Sequence, residues 1–310
     1  MMQAQAVSIP NTRRINFISR VNGHEYSISV ALPWVPAPES GYRVFYVLDG
    51  YAYFASAVEA VRTNAPDVVV VGIGYPEAPA FIGRILEKRG PQRGLDGMAA
   101  MVQAYVMERM YDLSLPMSDD ALAMQNMPGV ALTANHVGGI DDFLATIETE
   151  VKPLVEDMVP IDQSNQALFG HSLGGLAVVH ALFVEPKAFR TFIAASPSIW
   201  WNQKAVLVNE AKFSAAVDAG VISPRVLVTM GSDEDEVKVV PAGLGIDQAD
   251  LEALVQRARM VENARELTAR LQALRGSNGY QVQDYALFAK QGHGISPWPA
   301  LGRAVDFAFL

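Results

Sequence analysis

The sequence predicts an α/β fold built on a mostly parallel sheet with helices on both faces. Three observations carry this. Short continuous apolar runs recur along the chain, each ending at a turn-forming residue, and such runs suit strands buried on both sides of a parallel sheet. Segments with helical periodicity alternate with them, as crossover helices between parallel strands would. The chain begins in a different rhythm, with two alternating runs around an Asn-Gly pair, the signal of an antiparallel hairpin.

In order along the chain, Thr12 to Arg20 and His24 to Leu32 form the hairpin strands around Val21-Asn22-Gly23, and Pro33, Pro36 and Pro38 then break the chain. The buried strands follow: Arg43 to Leu48, ending at Asp49-Gly50; Val68 to Ile73, ending at Gly74; Ala167 to Phe169, leading into Gly170; Phe192 to Ala195, ending at Ser196-Pro197; Val226 to Met230, ending at Gly231; and Tyr280 to Phe288. Helical patterns cover Ala52 to Arg62, Ile140 to Met158, Leu173 to Val184, Asn202 to Ala219, Asp247 to Leu274 and Pro299 to Phe309. The expectation is eight strands, the first pair antiparallel, in one domain over residues 1–310. One connection is long, with an insertion over about residues 76–137 that would suit a lid. It holds seven of the 12 methionines: Met98, Met101, Met107, Met110, Met117, Met124 and Met127. Met98, Met101, Val102, Tyr105 and Val106 share one helical stripe, which reads first as ordinary packing.

Composition narrows the function. Half of the 310 residues are hydrophobic, enough for a large core, and the net charge is −9. That charge argues against nucleic acid or an anionic membrane as partner. With no cysteine, disulfides, thiolate chemistry and Cys-ligated zinc are excluded. The first residues show no basic region before an apolar stretch, so neither a signal peptide nor a membrane span is expected. The expected location is the cytoplasm, or the periplasm if a leader has been removed. The oligomeric state is left open.

The motif with chemical content is Gly170-His171-Ser172-Leu173-Gly174. It has the G-x-S-x-G form of a nucleophile elbow, a sharp strand-to-helix turn that pushes a serine hydroxyl outward. Serine is a weak nucleophile until a base takes its proton, and in elbow enzymes the acid and then the histidine follow it in the chain. Of the five histidines, His24 and His136 precede the motif, His171 is adjacent to the serine, and His180 lies more than two helical turns away. This leaves His293, between Gly292 and Gly294, as the base. The acid should follow the strand ending at Gly231, where Asp233, Glu234, Asp235 and Glu236 stand in a row. Glu234 is favoured and Asp235 is the alternative. Two backbone donors should meet the oxyanion: the N–H of Leu173, and that of Tyr51 after the third strand, with Gly50 allowing a tight approach. Trp200 and Trp201 follow a strand end, where open α/β sheets bind ligands, and are candidate substrate walls. Neither cofactor nor metal is called for.

These residues carry a family resemblance from about Arg43 to the C-terminus. The chain resembles the putative-esterase family of the α/β-hydrolase fold, and looks most like its siderophore trilactone esterases. The matching stretches are Val47 to Gly50, Val71 to Tyr75, Arg109-Met110-Tyr111-Asp112-Leu113-Ser114, Gly138 to Phe143, the elbow through Gly175, and Ser196-Pro197-Ser198-Ile199-Trp200-Trp201. The resemblance implies Ser172 as nucleophile, His293 as base, Glu234 as the acid at the family's G-x-x-E position, and Arg109 near the substrate. Arg84, Lys88, Arg89 and Arg93 are the only basic cluster, little for an anionic catecholate ligand. The expectation is therefore a serine carboxylic-ester hydrolase acting on a small-molecule ester. The alternatives are an acyltransferase with the same triad, a siderophore trilactone esterase, or a silent binding protein on this fold.

Overall fold

The computed structural model describes residues 8–76, 107–125, 132–237 and 247–310. Nine strands form one sheet in the order β1-β2-β4-β3-β5-β6-β7-β8, with β9 also on β7. They are β1 (Thr12–Ile18), β2 (Glu25–Ala31), β3 (Tyr42–Leu48), β4 (Val68–Gly74), β5 (Ile161–His171), β6 (Thr191–Ala195), β7 (Arg225–Gly231), β8 (Gln281–Val282) and β9 (Ala286–Phe288). β1 and β2 pair antiparallel, and β2 runs antiparallel to β4. All pairings from β4 through β9 are parallel. The hairpin forms as the Asn-Gly signal implies, with Gly23 at φ 72° and its N–H on the Ser19 carbonyl.

The apolar runs are continuous because each face of the sheet is covered. Val44, Tyr46, Leu48, Val69, Val71 and Ile73 point to one side, into a core shared with helices Leu173–Val184 and Met260–Gln272. Their neighbours Phe45, Val47, Val68 and Val70 point to the other, against helices Gly50–Asn64 and Pro297–Phe309. The period of two along each strand therefore fills two cores rather than one core and a wet face.

Three expected elements are divided. The last strand becomes β8 and β9: Val282 pairs with Val226 and Ala286 with Thr229, so this edge strand carries one residue more than its partner. The helix expected over Asp247 to Leu274 breaks at Arg259, which takes φ 42°. The helix expected over Asn202 to Ala219 is a 3₁₀ stretch, Trp201–Asn209, followed by α-helix Glu210–Asp218. Asn202, Gln203 and Lys204 are left-handed there, and the Asn202 side chain donates to the Pro116 carbonyl at 3.0 Å. At Asn202 a contact distant in sequence overrides local helical periodicity.

The long insertion is described only in part. The expected Met98 to Val106 stripe and the basic cluster of Arg84, Lys88, Arg89 and Arg93 lie outside the described residues. Met110 and Met117 are buried, while Met124 is exposed. The segment carrying Arg109 is clamped by its neighbour Asp112, which is wholly buried. Asp112 Oδ2 accepts from the hydroxyls of Tyr26 and Tyr75 at 2.9 Å each, and the His24 imidazole stands 3.2 Å from Oδ1. That carboxylate raises the His24 pKa above its ordinary value against the opposing pull of burial. No helix among the described residues is long and apolar enough to cross a membrane.

Candidate active site

From β3 the chain passes to β4 on one side, and the sheet continues through β5 on the other. The carboxyl ends of β3 and β5 therefore flank a topological switch point, where open α/β sheets place their ligands. Both ends feed directly into helices, β3 into Gly50–Asn64 and β5 into Leu173–Val184.

Ser172 sits between β5 and its helix at φ 61°, ψ −118°. A non-glycine residue there is strained by about 1–3 kcal/mol. The turn closes because Gly170 has no side chain: a Cβ on it would lie 2.2 Å from the Gly174 carbonyl oxygen. The Ser172 N–H donates to the Ala195 carbonyl at 3.0 Å, and its own carbonyl accepts from Ser198 N–H at 3.1 Å. The elbow is thus tied to the end of β6 on both sides of the serine.

The structure brings Ser172, His293 and Glu234 together. His293 Nε2 is 3.0 Å from Ser172 Oγ, and His293 Nδ1 is 2.6 Å from Glu234 Oε2. Glu234 is buried, and its other oxygen, Oε1, accepts from Ser196 Oγ at 2.5 Å and from Gly231 N–H at 2.7 Å. Burial alone would raise the Glu234 pKa, but the bonds from His293, Ser196 and Gly231 together hold it below its ordinary value. Gly231 also lets the His293 loop approach, since a Cβ there would lie 2.1 Å from the Gln291 carbonyl oxygen. The alternative acid, Asp235, turns away and accepts the N–H of Val261 at 3.3 Å. Asp233 accepts from the Ser232 hydroxyl at 2.7 Å.

The other histidines are engaged elsewhere. His180 pairs with Asp141 at 2.7 Å, and His136 bonds back to Thr133. His171 is buried beneath the site with its ring centroid 4.6 Å from that of His293. Desolvation, helped by the nearby His293 and Arg109, pushes its pKa well below the ordinary value and keeps it neutral.

The amides of Tyr51 and Leu173 lie in the first turns of the two helices that start side by side. N–H groups there lack intrahelical partners and carry the positive end of the helix dipole. Asp49 precedes the first of these helices in a left-handed conformation, φ 53°. Gly50 packs against the β4 backbone, where a Cβ would come within 2.5 Å of the Gly72 carbonyl carbon.

Two expectations about substrate contacts change. Arg109 is directed at the protein: its Nε and Nη2 donate to Asp49 Oδ1 and Oδ2 at 2.6 and 2.8 Å, and Nη2 also reaches the His171 carbonyl at 3.1 Å. It braces the two helix starts against each other. Arg109→Met is expected to destabilise the fold by about 3 kcal/mol, because a carboxylate that is only 5% exposed loses its bidentate partner. Thermal unfolding of the variant checks this. Trp201 is a core side chain, 2% exposed, because the turn after Ser196-Pro197 carries it inward, and Trp200 packs half-buried at 5.8 Å from it. Tyr51, in the first turn of the helix after β3, is 66% exposed, and Trp298, five residues after His293, is 50% exposed. Trp298 lies edge-on to Tyr53 at 5.5 Å, and Tyr53 contacts His171. Trp298 falls just outside the expected C-terminal helix, Pro299 to Phe309, whereas the observed helix starts at Pro297. Its tie to the site runs through Tyr53, distant in sequence. Among the described residues no cluster of three or more His, Cys, Asp or Glu side chains is arranged to hold a metal ion.

Comparison with known proteins identifies the family of the chain. The family model described as putative esterase matches residues 116–299. The ferri-bacillibactin esterase BesA of Bacillus subtilis is 31% identical over 98% of this chain and 92% of its own length. A siderophore enterobactin esterase of Emericella nidulans is 30% identical over 92% of this chain and 88% of its own. Among solved structures, the BES protein from Bacillus cereus superposes with a TM-score of 0.76 at 30% identity, covering 100% of both chains. Siderophore hydrolase EstA from Aspergillus nidulans follows with a TM-score of 0.72 at 27% identity, covering 99% of this chain and 98% of its own. The chain belongs to the putative esterase family and is an esterase of the α/β-hydrolase fold.

Proposed function

We propose that this esterase works through a Ser172-His293-Glu234 triad and an acyl-enzyme, and that its substrate is a siderophore ester. The observation that carries the mechanism is the unbroken line from Ser172 Oγ to His293 at 3.0 Å and from His293 to Glu234 at 2.6 Å. His293 Nε2 takes the proton as Ser172 Oγ attacks the ester carbonyl carbon. The negative charge gathers on the carbonyl oxygen, where the Leu173 and Tyr51 amides receive it. Glu234 stabilises the imidazolium and fixes its tautomer. Collapse breaks the acyl–oxygen bond, and His293 returns the proton to the departing alcohol. Water, deprotonated by the same histidine, then releases the acid and restores Ser172.

The substrate class rests on the relatives. Proteins at 30–31% identity over most of this chain are named esterases of ferri-bacillibactin, enterobactin and triacetylfusarinine C. The exposed rings of Tyr51 and Trp298 would offer a rim to an aryl-bearing ligand. The test is a substrate panel of aryl acetates, aryl butyrates and a catecholate trilactone, followed by mass spectrometry of the products. A preference of at least tenfold in kcat/KM for the trilactone is expected. A preference for simple aryl esters would reject the siderophore assignment. In parallel, a fluorophosphonate is expected to add its mass to the peptide containing Ser172.

A further inference from the structure

Behind Glu234 lies a line of buried polar groups that the reaction itself does not use. Ser196 Oγ is 2.5 Å from Glu234 Oε1 and 2.9 Å from Ser296 Oγ. Ser296 Oγ is 3.4 Å from His171 Nε2, and His171 Nδ1 is 3.1 Å from the Tyr53 hydroxyl. Ser196, Ser296 and His171 are each at most 4% exposed. The line starts at Tyr53 on the helix after β3 and crosses the elbow residue His171 and the segment after His293. It ends on the carboxylate beyond β7.

Donor counting gives this line one direction. An ionised carboxylate only accepts, so the single Ser196 proton goes to Glu234. Ser196, its proton used, can only accept from Ser296, whose single proton lies 2.9 Å from the Ser196 oxygen and also reaches the His293 carbonyl at 3.2 Å. With its proton spent, Ser296 accepts from His171 Nε2–H. Nδ1 of the neutral ring is left to accept from Tyr53. Burial and the repulsion of Asp49, partly offset by Arg109, push the Tyr53 pKa up to about 12, so its hydroxyl keeps the proton at neutral pH. Every dipole in the line points toward Glu234, and bonds in such a chain strengthen one another.

We infer that His171 and Ser296 are positioning residues, which hold Glu234 Oε1 so that Oε2 stays aligned on His293 and which keep the ring under His293 uncharged. The inference rests on Glu234 being the acid of the site. Two further observations support it. Ser196 adopts φ 44°, a strained conformation for serine, with its N–H held by the Thr229 carbonyl, and this aims its hydroxyl at Glu234. The groups facing His171 are His293, Arg109 and Tyr53, with Asp49 beyond Arg109. A second positive charge 4.6 Å from the imidazolium would oppose catalysis, and a protonated Nδ1 could no longer accept from Tyr53.

The test compares Ser296→Ala, Ser296→Thr and His171→Phe with wild type and with Ser172→Ala, using aryl butyrate as probe. A lost donor leaves the Glu234 carboxylate more basic, which strengthens its bond to the His293 ring and moves the acid limb of kcat/KM to higher pH. Ser296→Ala is expected to lower kcat by about five- to tenfold, the upper range for one hydrogen bond between neutral groups, with KM unchanged and the acid limb displaced upward. Ser296→Thr restores both. His171→Phe keeps a ring against His293 but cuts the line, and displaces the limb in the same direction. Thermal unfolding accompanies each variant, so a displaced limb at wild-type Tm separates positioning from stability. Wild-type kcat and an unmoved limb in both Ser296→Ala and His171→Phe overturn the inference. If Ser172→Ala is inactive in the same series, only the inference fails; if Ser172→Ala is fully active, the triad reading fails with it.

Discussion

Ser172→Ala is expected to abolish ester turnover, lowering kcat by about 10⁴-fold or more at unchanged Tm. The size follows from what the hydroxyl does. Without it no acyl-enzyme forms, and His293 and Glu234 have no nucleophile to activate; removing the serine of such a unit costs about as much as removing the whole unit. The residual rate above water would come from the Leu173 and Tyr51 amides and from substrate binding. Folding should survive. The φ of 61° at this position taxes alanine as it taxes serine, and the backbone bonds to Ala195 and from Ser198 do not involve the side chain. Single-turnover assays with an aryl butyrate and mass spectrometry of the quenched enzyme check both halves: no burst and no acyl adduct. A variant that keeps wild-type turnover would remove Ser172 from the chemistry.

Glu234→Gln is expected to lower kcat by about 10³- to 10⁴-fold, the range seen when a triad acid becomes an amide. The environment dictates how the amide must sit. Oε1 of the carboxylate receives two donors, Ser196 O–H and Gly231 N–H, so the amide oxygen has to take that place. Its NH₂ group then faces His293 Nδ1. The ring answers by accepting at Nδ1 and carrying its proton on Nε2, which points at Ser172 Oγ. A histidine in that tautomer cannot receive the serine proton. Glu234→Asp is a different loss: its shorter side chain keeps the charge but cannot span both Ser196 and His293, so a smaller fall in kcat is expected. Measuring kcat and KM separately for both variants distinguishes tautomer from distance. Equal effects of the two would contradict the assigned hydrogen-bond directions.

β3 to β7 were legible because burial on both faces leaves a continuous apolar run, and the hairpin because Asn-Gly suits few other turns. The elbow was legible because its chemistry is local: Gly170, Ser172 and Gly174 meet within one turn, and the helix Leu173–Val184 begins where the pattern puts it. His293 and the acidic turn could be named by elimination and chain order. The choice among four acids could not, because what separates Glu234 from Asp235 is contact with the distant residues Ser196, His293 and Val261. The break at Asn202 was hidden for the same reason, since its side chain bonds to the distant Pro116 carbonyl.

The misplaced aromatics make the point most directly. Trp200 and Trp201 were sited by their position after a strand end, which fixes where a backbone goes but not where a side chain points. The turn carries Trp201 into the core, and Trp298, from a helix at the other end of the chain, stands exposed instead. Arg109, which the family resemblance puts near the substrate, donates to Asp49 and to the His171 carbonyl.

By itself the sequence determined the layered α/β architecture and the class of chemistry, and it singled out the proposed nucleophile and base, because periodicity and a one-turn motif are encoded in neighbouring residues. The tertiary structure alone decided which acid faces His293, that Trp201 is buried while Trp298 is exposed, and that His171 is packed beneath His293. Each of those depends on distances between residues far apart in the chain, which only the assembled sheet brings together.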